Sequence, residues 1–216
     1  MNNVVIMRNI SEIIKKAREL KQKGFTTGEI ADELNVSRET ALWLVTHSEE
    51  EKDSMPRDIF IDWQRIGSNP LIIKNMAVAM SILIEEVVEE KSLPRPEVIA
   101  GIAVSGVPLA TFIAEQLGAA LAVMRPKKHL WEPEKKSRTS GFLLSNFSDV
   151  TGKNVVIVDD IATTGNTIRD SIRFLQREGA KPLAAVVLID KKGLKEVDGR
   201  PVRALVSIGI VKDLGK

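Results

Sequence analysis

The stretch Val155-Val156-Ile157-Val158-Asp159-Asp160-Ile161-Ala162-Thr163-Thr164-Gly165-Asn166-Thr167 decides the fold. Four β-branched apolar residues in a row, Val155, Val156, Ile157 and Val158, predict a strand covered on both faces, as in a parallel sheet flanked by helices. Two carboxylates follow, then a small hydroxyl-rich loop with one glycine, then an amphipathic helix from about Asn166. Polar groups thereby fall at the carboxyl end of a central strand, where open α/β sheets bind ligands. Thr163, Thr164 and Thr167 offer hydroxyls, Gly165 permits close backbone approach, and Ala162 and Asn166 complete the loop. With the unpaired N–H groups of a helix start, these residues suit a phosphate. Asp159 and Asp160 cannot face that phosphate favourably. Ionised carboxylates only accept hydrogen bonds, so they suit ribose hydroxyls or a Mg²⁺ ion held on them.

Outward from this stretch, strands alternate with helices. Residues 58–66 read as a strand; Asn69-Pro70 opens a long helix to about Glu90, and Pro94 and Pro96 close it. A strand over 99–104 turns through Ser105-Gly106-Val107-Pro108 into a helix over 109–117, and a strand over 119–124 runs into a basic loop up to Gly141. After the central strand come a helix over 166–178 and strands over 183–189 and 202–208. The expected class is α/β, a mainly parallel sheet in right-handed crossovers flanked by helices. Paired acids at a strand end also occur at bare metal or phosphoacceptor sites, but the threonine loop would then have no purpose. A P-loop would need a Gly-Lys-Ser/Thr ending, which this stretch lacks.

The amino-terminal part has a different rhythm. Ile10, Ile13, Ile14, Ala17 and Leu20 recur at helical spacing, and Thr26 stands three residues before Glu29 in the capping-box pattern. Ile30, Ala31 and Leu34 give that second helix its buried stripe; Val36 plugs a tight turn, and Ser37 caps a third helix whose inner face is Ala41, Leu42, Leu44 and Val45. The run resembles a helix-turn-helix, which would present Ser37, Arg38, Glu39 and Thr40 to the major groove of double-stranded DNA. Arg38 suits a guanine edge and Thr40 a phosphate or thymine methyl. Lys15, Lys16, Arg18, Lys21 and Lys23 either neutralise DNA phosphates or form a solvated face, and a packing module without a DNA role stays open, since charges over 1–50 nearly cancel. Trp43 reads as packing rather than base contact. The acidic segment 48–56 places the domain boundary between a helix-turn-helix domain of 1–54 and a second domain of 55–216, with a wing after the third helix left open.

Bulk composition narrows the class further. Hydrophobic residues make up 44% of the 216-residue chain, enough for a real core, while zero cysteines exclude disulfides and thiolate catalysis and fit a reducing cytoplasm. The longest apolar candidate, 72–88, is broken by Lys74, Asn75, Glu85 and Glu86, so no membrane partner is expected. A formal net charge of +2 means that any nucleic-acid surface must be a local patch.

Residues 155–167 resemble the phosphoribosyl-pyrophosphate (PRPP) motif of type I phosphoribosyltransferases, and the resemblance runs from about Arg57 to the end. It implies that Ser105 and Gly106 stand in the pyrophosphate loop and that the basic stretch from Arg125 to Gly141 is similar to the mobile catalytic loop of orotate phosphoribosyltransferase. There six Lys or Arg residues face only Glu132 and Glu134; a solvated loop or a second DNA contact remain alternatives. In an active transferase the catalytic set would be Asp159 and Asp160 on the ribose, with Arg125, Lys127, Lys128 and His129 stabilising departing pyrophosphate. The pattern is broken elsewhere. No base-covering hood is visible, Ser105 stands where many orotate enzymes carry lysine, Pro126 replaces a cation beside Arg125, and Asp190-Lys191 replaces Asp-Arg. Lys191 keeps the charge of that ligand-binding position but loses the bidentate fork. Joined to a helix-turn-helix, such a domain resembles archaeal orotate-phosphoribosyltransferase-like transcriptional regulators of sugar catabolism, the GfcR group. That resemblance implies a homodimer that binds DNA and senses PRPP or a related sugar phosphate, with Mg²⁺ arriving on the ligand and no tightly bound cofactor. The other reading is an active transferase making orotidine 5′-phosphate from orotate and PRPP.

Overall fold

A computed structural model describes residues 2–47, 56, 58–59, 61, 64–126, 141–146 and 148–209. The chain divides into two compact units, Met1–Asp62 and Trp63–Lys216. The division falls past the expected boundary at 54/55. Asp58 belongs with the first unit, where its Oδ2 accepts the Ser37 N–H at 2.6 Å.

The first unit is helical: α1 (Asn2–Gln22), α2 (Thr27–Leu34) and α3 (Arg38–Thr46). The capping box forms as the sequence predicts, with Thr26 Oγ1 accepting the Glu29 N–H at 3.3 Å and Glu29 Oε2 accepting the Thr26 N–H at 2.7 Å. Asn35 ends α2 in the left-handed region at φ 52°, and Ser37 Oγ accepts the Thr40 N–H at 3.0 Å to start α3. Such caps satisfy orphan N–H groups and contribute about 1 kcal/mol each. Ile14, Ala17, Ile30, Ala31, Leu34, Val36, Ala41, Trp43 and Leu44 form the core. Leu42, expected inside, is 52% exposed, while Trp43 is buried and stacks on His47 with ring centroids 5.3 Å apart. The reason is rotational: burial of Thr40, Ala41 and Leu44 turns position 42 outward.

The second unit runs α4 (Gln64–Gly67), α5 (Pro70–Glu90), β1 (Val98–Ile102), α6 (Gly106–Leu117), β2 (Ala120–Pro126), β3 (Phe142–Leu144), β4 (Asn154–Ala162), α7 (Asn166–Arg177), β5 (Lys181–Asp190), β6 (Glu196–Val197) and β7 (Arg200–Ser207). The seven strands are ordered β3-β2-β1-β4-β5-β7-β6, parallel except for the antiparallel edge strands β3 and β6. β4 is central and its side chains alternate between two cores. Val155 and Ile157 pack with Ile168, Ile172 and Leu175 of α7; Val156 and Val158 pack with Ile73, Met80 and Ile84 of α5 and Leu109 and Ile113 of α6. This is why the strand reads as an unbroken apolar run.

Two expectations change. The strand expected over 58–66 is absent among its described residues, and 64–67 form a helical turn. Asp58 Oδ1 takes the Ile59 N–H at 2.7 Å, a local bond that competes with a strand ladder. β4, expected to stop at Val158, continues through Ala162, because β5 pairs alongside it as far as Ala162 opposite Asp190. Both acids therefore sit in the strand itself.

α6 lies unusually close to β1. A Cβ on Gly101 would stand 2.7 Å from the Ala110 Cβ and 3.0 Å from the Gly106 carbonyl oxygen. Gly101→Ala is expected to destabilise the second unit by about 1–3 kcal/mol through overpacking. Denaturant unfolding followed by far-UV circular dichroism measures it, and an unchanged midpoint would show that α6 can shift freely.

Candidate functional site

The end of β4 buries two carboxylates, Asp159 at 8% and Asp160 at 4% exposure. Each binds forward along the chain: Asp159 Oδ1 accepts the Asp160 N–H at 2.9 Å, and Asp160 Oδ1 accepts the Ile161 N–H at 2.8 Å. Asp160 Oδ2 is buried with no hydrogen-bond partner among the described residues. A buried charged oxygen left unpaired costs more than a neutral one, so this atom is chemically fitted to a donor or a cation from outside the fold.

Beyond β4, Thr163 is half-buried, while Thr164, Asn166 and Thr167 are exposed around the buried Gly165. Gly165 is the N-cap of α7 at φ 79° and gives no side-chain cap, which leaves the first-turn N–H groups and the positive end of the helix dipole toward the loop. The Thr164 Oγ1 to Asn166 N contact, at 3.4 Å, is weak. A Cβ on Gly165 would also stand 3.1 Å from Leu194 Cδ1. Both its left-handed backbone and its packing therefore require glycine.

Asp190, noted in the sequence only as part of the Asp-Lys pair, organises the neighbouring turn. It is 1% exposed; Oδ1 accepts the Lys192 N–H at 2.7 Å and Oδ2 accepts the Leu194 N–H. The Lys191 N–H donates to the Ala162 carbonyl at 2.9 Å, tying this turn to the end of β4. The signal available was an acid at a strand end followed by Lys-Lys-Gly, a turn composition.

On the other side of β4, Ser105 makes no capping bond to α6, and the Ala103–Val104 peptide is cis. A Cβ on Gly106 would lie 2.6 Å from the Val158 carbonyl and 3.2 Å from Asp159 Oδ1. Gly106, expected to admit a ligand, has its missing side chain serve the contact with β4. Beside this loop a cavity of about 430 Å³ is lined by Gly67, Ser68, Ile73, Val104, Ser105, Pro108 and Leu109, none of them charged. Arg125 is exposed on β2. Lys127, Lys128 and His129, with the rest of the basic loop to residue 140, lie outside the described residues.

In the first unit Arg38 and Glu39 are exposed at the start of α3, and Ser37 is half-buried. Thr40 is only 3% exposed, and its hydroxyl lies 2.8 Å from Ser37 Oγ. It closes the cap instead of facing solvent, so Arg38 and Glu39 are the exposed members of the expected groove-facing set. Arg18 Nη2 donates to the His47 carbonyl at 2.7 Å, which gives one of the α1 cations a structural task. Among the described residues no helix is long and apolar enough to cross a membrane.

A central strand ending in two buried acids, a glycine-threonine loop and an uncapped helix define a phosphoribosyltransferase-type domain. Residues 62–213 match the family model described as Phosphoribosyl transferase domain. The crystal structure of orotate phosphoribosyltransferase from Aeropyrum pernix is similar with a TM-score of 0.53 and 27% identity, covering 74% of this chain and 86% of that one. Proteins named Transcriptional regulator GfcR are similar over nearly the full length. The one from Methanothrix thermoacetophila is 42% identical over 202 residues, covering 94% of this chain and 98% of its own. That from Methanocella arvoryzae is 42% identical over 207 residues, covering 95% and 100%. The chain belongs to the GfcR family of transcriptional regulators.

Asp160→Asn removes a buried, half-satisfied charge, so it is expected to raise the free energy of unfolding by about 1 kcal/mol. Urea titration of the ligand-free chain checks this; a destabilised variant would mean that Oδ2 has a partner in solution.

Proposed function

We propose that the chain binds operator DNA through its amino-terminal helices and that its phosphoribosyltransferase-type domain senses PRPP or a related sugar phosphate without turning it over. The observation that carries the ligand reading is the buried Asp160 Oδ2, without a partner among the described residues, on the strand that leads into an uncapped helix start. An acceptor-only carboxylate fits sugar hydroxyls, and the threonine-glycine loop fits the phosphate ester. Mg²⁺ also fits here. No group of three or more metal-ligating side chains occurs among the described residues, so Asp159 and Asp160 would hold the ion together with ligand oxygens. When bound it would supply positive charge to offset the ligand's phosphates.

Binding without turnover is favoured by what surrounds the cradle. Among the described residues the lining of the cavity beside Ser105 offers hydroxyls and apolar walls without a cation, whereas an anionic base and a departing pyrophosphate both call for positive charge. Incubation with PRPP, Mg²⁺ and orotate should therefore release no pyrophosphate above background; sustained release would replace sensing with transfer.

For DNA, Arg38 is the exposed cation at the head of α3 and the residue we assign to a base edge. The protein would act as a homodimer, because a two-fold protein matches a palindromic site. Ligand changes DNA affinity only so far as it prefers one arrangement of the regulator over another. Titrating operator DNA with and without saturating PRPP should give two different affinities; identical curves would sink the sensing proposal. Arg38→Ala is expected to weaken operator binding by about 1–3 kcal/mol and to relax specificity at one base position. Equal losses on operator and random DNA would reassign it to a phosphate.

A further inference from the structure

The head of α3 carries charge of the wrong sign for DNA. Arg38 and Glu39 are exposed in its first turn, and a second carboxylate arrives from 21 residues further along the chain, where Asp58 Oδ2 accepts the Ser37 N–H at 2.6 Å. Asp58 Oδ1 accepts the Ile59 N–H at 2.7 Å, so both oxygens are engaged and the carboxylate is fixed in orientation. Among the described residues this sets one cation, Arg38, against two carboxylates at the start of the helix. An anion there is favourable for the helix itself, because its bond to the N–H is charge-assisted and the dipole attracts it. It is unfavourable for DNA, whose binding draws on the neutralisation of phosphates. Nor does α3 need it to start, since Ser37 Oγ already accepts the Thr40 N–H at 3.0 Å.

The same run of chain reaches the second unit. α4 opens at Gln64, and Gly67 and Ser68 line the cavity beside Ser105. Only residues 59–67 lie between Asp58, bonded to the cap of α3, and Ser68 in the cavity wall. We propose that Asp58 is an autoinhibitory strap. Seated on the Ser37 N–H, its carboxylate opposes DNA; a sugar-phosphate ligand that contacts Gly67 and Ser68 draws it off and raises DNA affinity. The proposal rests on the sensing reading above and deepens it, naming the residue through which the ligand reaches α3 and the direction of its effect. The bond is only part-buried, so water replaces it at modest cost, and the ligand needs only that much preference for the released state.

The experiment measures the affinity of the full chain for a duplex that it selects from a random pool, by fluorescence anisotropy with and without saturating PRPP and Mg²⁺. Wild type should bind about three- to tenfold more tightly with PRPP, the size of one like-charge contact relieved near a phosphate. Asp58→Asn removes the charge and keeps an acceptor for the Ser37 N–H, so it should raise affinity measured without PRPP about threefold or more. Asp58→Ala removes charge and strap together, and its two affinities should agree. By reciprocity, calorimetry should show Asp58→Ala binding PRPP somewhat more tightly than wild type, because the ligand no longer works against the strap. Asp58→Asn, nearly the same shape, keeps the test open where Asp58→Ala alters the far-UV circular dichroism. Unchanged or weaker DNA binding by Asp58→Asn, a full PRPP response in Asp58→Ala, or a wild-type affinity that falls with PRPP overturns the strap while sensing stands. A wild-type chain indifferent to PRPP overturns both, and one that selects no duplex overturns the DNA reading beneath them.

Discussion

The second unit depends on the burial of β4, a strand apolar on both faces whose last turns carry two carboxylates. The apolar half, Val155 to Val158 in sequence, ties the two hydrophobic cores together. Burying such side chains contributes roughly 1.5–3 kcal/mol each. The polar half works against that gain, because Asp160 keeps one oxygen without a donor among the described residues. A fold tolerates a cost of this kind where a ligand supplies the missing contact, and the stability of the cores is what makes the cost bearable.

Three glycines bring the neighbouring backbone up to this strand. Gly101 lets α6 settle on β1, Gly106 lets the head of α6 touch Val158 and Asp159, and Gly165 lets Leu194 close behind the threonine loop. At each position a side chain would meet protein before it met a ligand. The site is thus shaped by packing. Thr164, Asn166 and Thr167 stay exposed around it, and Asp160 Oδ2 has no hydrogen-bond partner among the described residues.

The amino-terminal unit solves a smaller problem by local means. A capping box, a left-handed Asn35 and a Ser37 cap set the ends of α2 and α3, and Trp43 fills the core they enclose. Asp58 adds a carboxylate to the Ser37 N–H, a contact from residues that follow the acidic segment. Family membership as a transcriptional regulator gives this unit its context. Thr40 shows how closely structural and surface roles interleave, since two positions separate an exposed arginine from a buried, hydrogen-bonded hydroxyl.

Sequence by itself determined most of the helices and the inner strands of the sheet. Periodicity separated α2 and α3 from the strands, Thr26 and Glu29 announced a capping box, and the order of acids, threonines and glycine marked the end of β4 and the start of α7, because these signals are local and act within a few residues. What only the tertiary structure decided was everything set by a partner distant in the chain. β4 runs on through both acids because β5 pairs with it, Gly106 is small because β4 lies against it, and Asp190 serves a turn instead of solvent. Asp198 belongs to the same class: it accepts from Arg169 and Arg173 of α7, 29 and 25 residues away in the chain, because the turn between β6 and β7 brings it there. Local rules cannot specify such contacts, since spatial proximity across a sheet is created only when the strands have paired.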